Sequence, residues 1–196
     1  MTAVPKKKLT EAEYLAIERA AEFKSEFYNG EMFAMAGGTY AHNRIKDNLA
    51  RLIGNQLAGG PCFAITSDMK VKVAKTGLYT YPDVLIVCGS PEFPDAESTD
   101  ILLNPAIIIE VLSPSTQNYD RGAKFHQYQH LESLKEYVLV SQDEPVCEQF
   151  VRQSDENWLP ITTTGLSAEL AFQSVPVRVP LSAIYTGVTV PEPPPS

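Results

Sequence analysis

Two carboxylates sit in surroundings where an ionised carboxylate is costly. In AIIIEVLS, Ala106 to Ser113, Glu110 follows three isoleucines and precedes a valine and a leucine; in YPDVLIV, Tyr81 to Val87, Asp83 opens another apolar run. An isolated ionised carboxylate in an apolar setting costs several kcal/mol unless a cation accompanies it. Alternation along a strand puts Ile108, Glu110 and Leu112 on one face and Ile107, Ile109 and Val111 on the other, and it groups Asp83 with Leu85 and Val87. If these runs are neighbouring strands, about 4.8 Å apart, both carboxylates reach one point. Two anions there repel, and a divalent cation between them removes the repulsion. One or two carboxylates, water and a backbone carbonyl are hard oxygen ligands of the kind that suits Mg2+ or Mn2+ rather than Zn2+. Such an ion lowers the pKa of a bound water and holds a phosphodiester in line for attack. The competing reading is structural, with Glu110 in an ion pair and Asp83 at a strand start, and for these two residues alone it is the simpler one.

The elements that would position the pair follow from local pattern. Thr10 with Glu13 three residues on forms a capping box for a short helix that carries Leu15 and Ile17. SEFYNGEMFAMAGG predicts a hairpin turned by Asn29-Gly30, with Glu26 on its first strand. TYAHNRIKDNLARLIGNQLAGG sets Ile45, Leu49, Leu52, Ile53 and Leu57 on one helical face, with Gly59 and Gly60 to end the helix. CFAITSDMKVKVAK reads as one strand in which Met69, Val71 and Val73 alternate with Lys70 and Lys72. The strands YPDVLIVCGS and AIIIEVLS are separated by the loop SPEFPDAESTD. DRGAKFHQYQHLESL then predicts a helix capped by Asp120, EYVLVSQ a buried strand, and VCEQFVRQ, SDEN and WLPITTT a hairpin. An apolar stretch, VPVRVPLSAIYTGV, precedes the polyproline-like tail PEPPPS. On the long helix, Asp47 and Arg51 have the spacing of a surface pair. The class is α/β or α+β: a mixed β-sheet flanked by helices, with additional β-hairpins. The expected organisation is one domain over residues 1–190 and a disordered Pro-rich tail over 191–196.

Composition limits the partners. The 196 residues, 44% hydrophobic and 20% charged, describe a folded chain rather than a disordered one. A formal net charge of −8 argues against coating nucleic acid by bulk electrostatics, so contact with a polyanion is expected to be local or bridged by metal. Cys62, Cys88 and Cys147 are odd in number and lack CxxC spacing, so neither a disulfide framework nor a zinc site is expected, and the expected compartment is reducing cytoplasm. No secretory leader or membrane span is read.

YPDVLIV, IIIEVLSPST, DRGAKFHQY and KEYVLV, in that order, resemble a large bacterial family, the Uma-type proteins of the restriction-endonuclease-like PD-(D/E)xK superfamily. The resemblance runs from about Glu26 through the last apolar segment. It implies a mixed sheet flanked by helices, a divalent metal, Mg2+ or Mn2+, and hydrolysis of phosphodiester bonds in DNA. Position by position, the aspartate of the pattern falls on Asp83 and the strand glutamate on Glu110. The superfamily's lysine would stand two residues after the glutamate, where this chain has Leu112. The resemblance moves that role to the next helix, onto Lys124, with Tyr128 one turn on; i, i+4 spacing puts both on one face, and the Ser113-Pro114 turn brings them back over the carboxylates. Lys72 is the competing lysine. The same resemblance marks Glu26 and His42.

The expected site is therefore Asp83, Glu110 and the Val111 carbonyl on the metal, with Glu26 assisting. Lys124 orients or deprotonates the attacking water and steadies the charge that develops, supported by Tyr128. Lys70, Lys72 and Arg121 would form a thin backbone track. DNA is the expected partner, no membrane is involved, and a homodimer is an allowed assembly. Two alternatives stay open: a nuclease-like fold that binds or regulates without cutting, and a structural oligomer in which the acids only pair with lysines.

Overall fold

The computed structural model describes residues 8–66, 68–154 and 157–191, so the tail lies outside them after Pro191, as does part of the SDEN turn. Helix α1 (Glu11–Ala20) opens on the capping box read from sequence: the Thr10 N–H donates to Glu13 Oε2 at 2.8 Å and the Glu13 N–H to Thr10 Oγ1 at 3.2 Å. Strands β1 (Ser25–Tyr28) and β2 (Glu31–Ala34) form the expected hairpin. Asn29 at φ 50° and Gly30 at φ 82° make its turn, the left-handed pair a two-residue hairpin requires. Helix α2 (Tyr40–Leu57) buries Ile45, Leu49, Ile53 and Leu57, while Leu52 packs only partly.

The segment read as one strand is two. β3 (Cys62–Thr66) and β4 (Lys70–Val73) belong to different sheets, and β5 (Leu78–Thr80) pairs with β4. After β6 (Val84–Cys88) and the short β7 (Ile101–Leu102) comes β8 (Ile107–Leu112), buried along its whole length. Next is a helical run made of α3 (Gln117–Tyr119), a π-helical turn (Asp120–Lys124) and α4 (Phe125–Tyr128). Strands β9 (Glu136–Ser141), β10 (Val146–Arg152) and β11 (Trp158–Thr164) complete the larger sheet. β12 (Glu169–Ala171), β13 (Arg178–Pro180) and α5 (Leu181–Ile184) close the fold.

The six-stranded sheet runs β11-β10-β9-β8-β6-β3, with β8 and β9 parallel and the other pairs antiparallel; a five-stranded sheet runs β2-β1-β5-β4-β7. One face of the larger sheet, with Val84, Ile86, Ile107, Ile109 and Val138, packs under α2 and the C-terminal segment. The other, with Leu85, Val87, Ile108 and Leu139, packs on Val71, Val73 and Leu78 of the smaller sheet and on Phe125 and Tyr128. β8 is central because both its faces are apolar; burying each isoleucine contributes roughly 1.5–3 kcal/mol, and Glu110 stands on the second face amid that apolar packing.

Two expectations are overturned here. Cys62 and Cys88 are disulfide-bonded, because antiparallel pairing of β3 with β6 sets them opposite each other, and buried Cys147 is free. The basis for reading a reducing compartment goes with it. The Asp47–Arg51 pair does not form among the described residues; the Arg51 guanidinium turns to Asn48 Oδ1 at 3.5 Å. Among the described residues no helix is long and apolar enough to cross a membrane.

Candidate active site

The strand register does what alternation anticipated. β6 and β8 pair antiparallel with Val84 opposite Ile109, so one step further along the register Asp83 faces Glu110. Each carboxylate is tied to the other's strand: the Val111 N–H donates to Asp83 Oδ2 at 2.9 Å, and the Asp83 N–H to Glu110 Oε2 at 3.3 Å. His42, in the first turn of α2, places Nε2 3.2 Å from Asp83 Oδ2, while its buried Nδ1 has no partner.

The helical run supplies the cation. The Ser113 carbonyl accepts from the N–H groups of Thr116 and Gln117, at 3.2 and 3.0 Å, which turns the chain back after Pro114. The π turn then carries Lys124 inward, so that its Nζ lies 2.9 Å from Glu110 Oε1, 3.1 Å from Glu26 Oε1 and 3.6 Å from Asp120 Oδ1. Single π turns inside helices recur at functional sites, where the wider turn re-aims side chains. Here Tyr137 OH donates to the Asp120 carbonyl at 3.0 Å and pins the turn to β9. Tyr128 OH donates to Glu110 Oε1 at 3.0 Å and lies 3.3 Å from Thr80 Oγ1, which in turn donates to Glu26.

Burial pushes the Glu110 carboxyl up to about 8; Lys124 opposes the shift, and the neighbouring charges of Asp120 and Asp83 add to it. Burial also raises Asp120. For Lys124 burial favours the neutral amine, but Glu110, Tyr128, Glu26 and Asp120 outweigh it and hold the group well above the usual lysine range. At neutral pH Lys124 is an ammonium. In that form it can orient a water, donate a hydrogen bond and offset negative charge.

Among the described residues no group of three or more His, Cys, Asp or Glu side chains is arranged to hold a metal ion. The open donors lie on the Asp83 side: Asp83 Oδ1 has no hydrogen-bond partner among the described residues, and Glu110 Oε2 has only the long contact to the Asp83 N–H. Two hard carboxylate oxygens with most of the ligand shell left to water fit Mg2+ or Mn2+, which retain water readily. Glu26 stands on the far side, engaged by Lys124 and Thr80. The contact that Val111 shows to the site is its N–H rather than its carbonyl.

Asp83, Glu110, Val111, Glu26, Lys124 and His42 thus line one cleft of about 890 Å3, with Tyr128 buried behind it. Lys72 is elsewhere, 2.7 Å from Glu11 Oε2 on α1. The basic track is corrected as well. Lys70 is buried 2.8 Å from Glu18, Lys72 holds Glu11, and Arg121 holds Glu148 at 2.7 Å; β4 lies inside the smaller sheet with α1 supplying the acids over its lysines. Asp120, read as a helix cap, is an inward member of the cluster. Its i, i+4 spacing to Lys124, the same as that of Lys124 to Tyr128, is the signal that identifies it. Thr80 carries no comparable sequence signal.

The mixed sheet flanked by helices is of the restriction-endonuclease-like fold, and the structural comparison agrees. A solved chain from Anabaena variabilis, described as a "putative nuclease", superposes with a TM-score of 0.74 at 17% identity, covering 91% of this chain and 98% of its own. Residues 11–181 match the model of the Uma2 family, described as "Putative restriction endonuclease", and the chain belongs to that family. Two relatives from Synechocystis, both named as uncharacterized proteins, are each 37% identical. One matches over 95% of this chain and 96% of its own length, the other over 88% and 97%.

Proposed function

We propose that this chain is a metal-dependent nuclease acting on DNA phosphodiester bonds, with residues 1–190 working as one domain. The observation that carries this reading is Lys124 Nζ at 2.9 Å from Glu110 Oε1, in the cleft that Asp83 also lines. Leu112 leaves the strand without its lysine, and the π turn returns an ammonium to the same carboxylate. Asp83 and Glu110, with the Val111 carbonyl, would hold Mg2+ or Mn2+, which supplies an acidified water and charge neutralisation. The chain's own residues do the rest. Lys124 orients the water and offsets charge on the phosphoryl oxygens; Tyr128 and Glu26 fix the lysine in place; His42 fixes Asp83.

The test is incubation of purified protein with single-stranded, duplex and branched DNA, with and without Mn2+. Cleavage that needs the metal and disappears in both Glu110→Ala and Lys124→Ala is the expected result. Cutting that survives in Glu110→Ala places the activity elsewhere. A second reading, a nuclease-like module that binds without cutting, is favoured by one observation: Lys124, Lys70, Lys72 and Arg121 are all already paired with acids. Binding of DNA with no cleavage under any of these conditions would select it.

A further inference from the structure

The mouth of the cleft is aromatic. Tyr28, Phe33, Met35 and Tyr119 line it at 37%, 50%, 38% and 39% exposure, and they are four of the nine exposed large hydrophobic side chains among the described residues. Register explains the grouping on the hairpin. Phe33 pairs with Glu26 and Tyr28 lies two residues beyond Glu26, so both rings rise from the face of β1 and β2 that sends Glu26 to Lys124. Tyr119 enters from the start of the helical run, with its ring 5.9 Å from Lys124 Nζ. The other large hollow of the described residues, about 880 Å3 near Lys75 and Lys135, has no Phe, Tyr or Trp in its lining. Apolar rings around an acid- and lysine-lined floor thus set this cleft apart from that one.

Charge narrows what such a mouth can take. A duplex presents one phosphate charge per about 1.7 Å of axis and is held by rows of free Lys and Arg. The candidates for that row are neutralised by Glu18, Glu11 and Glu148. The cleft lining does include one lysine with no acidic partner among the described residues, Lys46, whose Nζ donates to Asn43 Oδ1 at 3.1 Å. Rings with few cations suit unpaired nucleotides, whose π faces stack on aromatic side chains while a small number of lysines meets the backbone. A base inside a duplex has no free face to offer.

We infer that the cleft selects single-stranded or locally unpaired DNA, with bases stacked on Phe33, Tyr28 and Tyr119 and the backbone met by Lys46. This inference rests on the nuclease reading for placing DNA in the cleft, and it adds the substrate class. Phe33 and Tyr119 are specificity-determining side chains here.

The experiment is fluorescence anisotropy in EDTA with the wild-type chain and a short labelled oligonucleotide in three forms: single-stranded, fully duplex, and single-stranded with abasic sites that keep the phosphates and remove the bases. Tighter binding of the ordinary single strand is expected, with about ten-fold or greater loss for the abasic strand and for Phe33→Ala, the loss expected when one stacked base is released. Phe33→Trp should retain binding, and Leu159→Ala, on β11, should leave it unchanged. Duplex binding equal to or tighter than single-strand binding, or an abasic strand bound as well as the intact one, overturns the inference. Binding of none of the three also overturns it. Metal-dependent cleavage assayed on the same preparation separates the two readings: cutting with no strand preference sinks only this one, and single-strand binding without cutting sinks only the nuclease reading.

Discussion

Lys124 is the cation that two buried carboxyl groups, Glu110 and Asp120, and the half-buried Glu26 all face with their oxygens near its Nζ. Removing one member of a buried charge cluster leaves the others uncompensated, at about 3–5 kcal/mol. Lys124→Met should therefore lower stability by about that amount, and Lys124→Met with Glu110→Gln should recover part of it, as measured by urea denaturation. Simple additivity of the two single effects would show that the pair is not coupled. Glu110 sets a pH dependence of definite sign. Its carboxyl rises from the ordinary 4.5 to about 8 in the fold, so between those values the folded chain holds a proton that the unfolded chain has released. The contribution to stability is whole below about 4.5 and is lost as pH rises through about 8. Glu110→Gln should flatten the fall in Tm across that window. Metal binding runs the other way, because it needs the carboxylate: the rise in Tm caused by Mg2+ should grow as pH approaches 8 and be lost in Asp83→Asn. A larger Mg2+ effect at pH 6 than at pH 8 would exclude Glu110 as a ligand.

At the scale of elements, what sequence revealed was what local periodicity controls. The capping box of α1, the Asn29-Gly30 turn and the apolar stripe of α2 are short-range patterns, and each appears where it was read. The opposed faces of β6 and β8 were legible for the same reason, and with them the meeting of Asp83 and Glu110. Pairings that depend on distant chain were not legible. The break between β3 and β4 sends two halves of one alternating run into different sheets, and β5, β7 and β12 are too short to declare themselves. Family resemblance points to Lys124, while the inward role of Asp120 is hidden in the sequence because a first-turn aspartate also reads as a cap. Cys62–Cys88 is the plainest nonlocal case, since only the β3–β6 register brings the two together. Its sequence separation of 26 residues gives an entropic contribution of about 2–4 kcal/mol. Cys62→Ser with Cys88→Ser should lower stability by about that much in urea. The bridge lies at the end of β6 away from Asp83, so the Mg2+ response of Tm should persist in the double variant. Loss of that response would mean that the bridge, through β6, holds Asp83 in place.

For the molecule as a whole, a net charge of −8 has to be reconciled with the polyanionic substrate of the proposed function. Long-range attraction would not draw the two together, so on the proposed reading affinity would come from contacts inside the cleft: stacking, a lysine, and a metal at Asp83 and Glu110. That arrangement leaves a mark on salt dependence. Each phosphate neutralised on a single strand contributes roughly −0.7 to the slope of log K against log salt. With Lys46 as the lining lysine that has no acidic partner among the described residues, the slope for single-stranded DNA in EDTA should be shallow, about −1. Lys46→Ala should bring it close to zero while preserving the difference between intact and abasic strands, because the rings are untouched. Phe33→Ala should do the opposite, lowering affinity at every salt concentration with the slope unchanged. A slope steeper than about −4 would require a row of phosphate contacts. That would place the DNA on a basic surface outside this cleft, and neither the aromatic mouth nor the acid-and-lysine floor could then be its principal binding site.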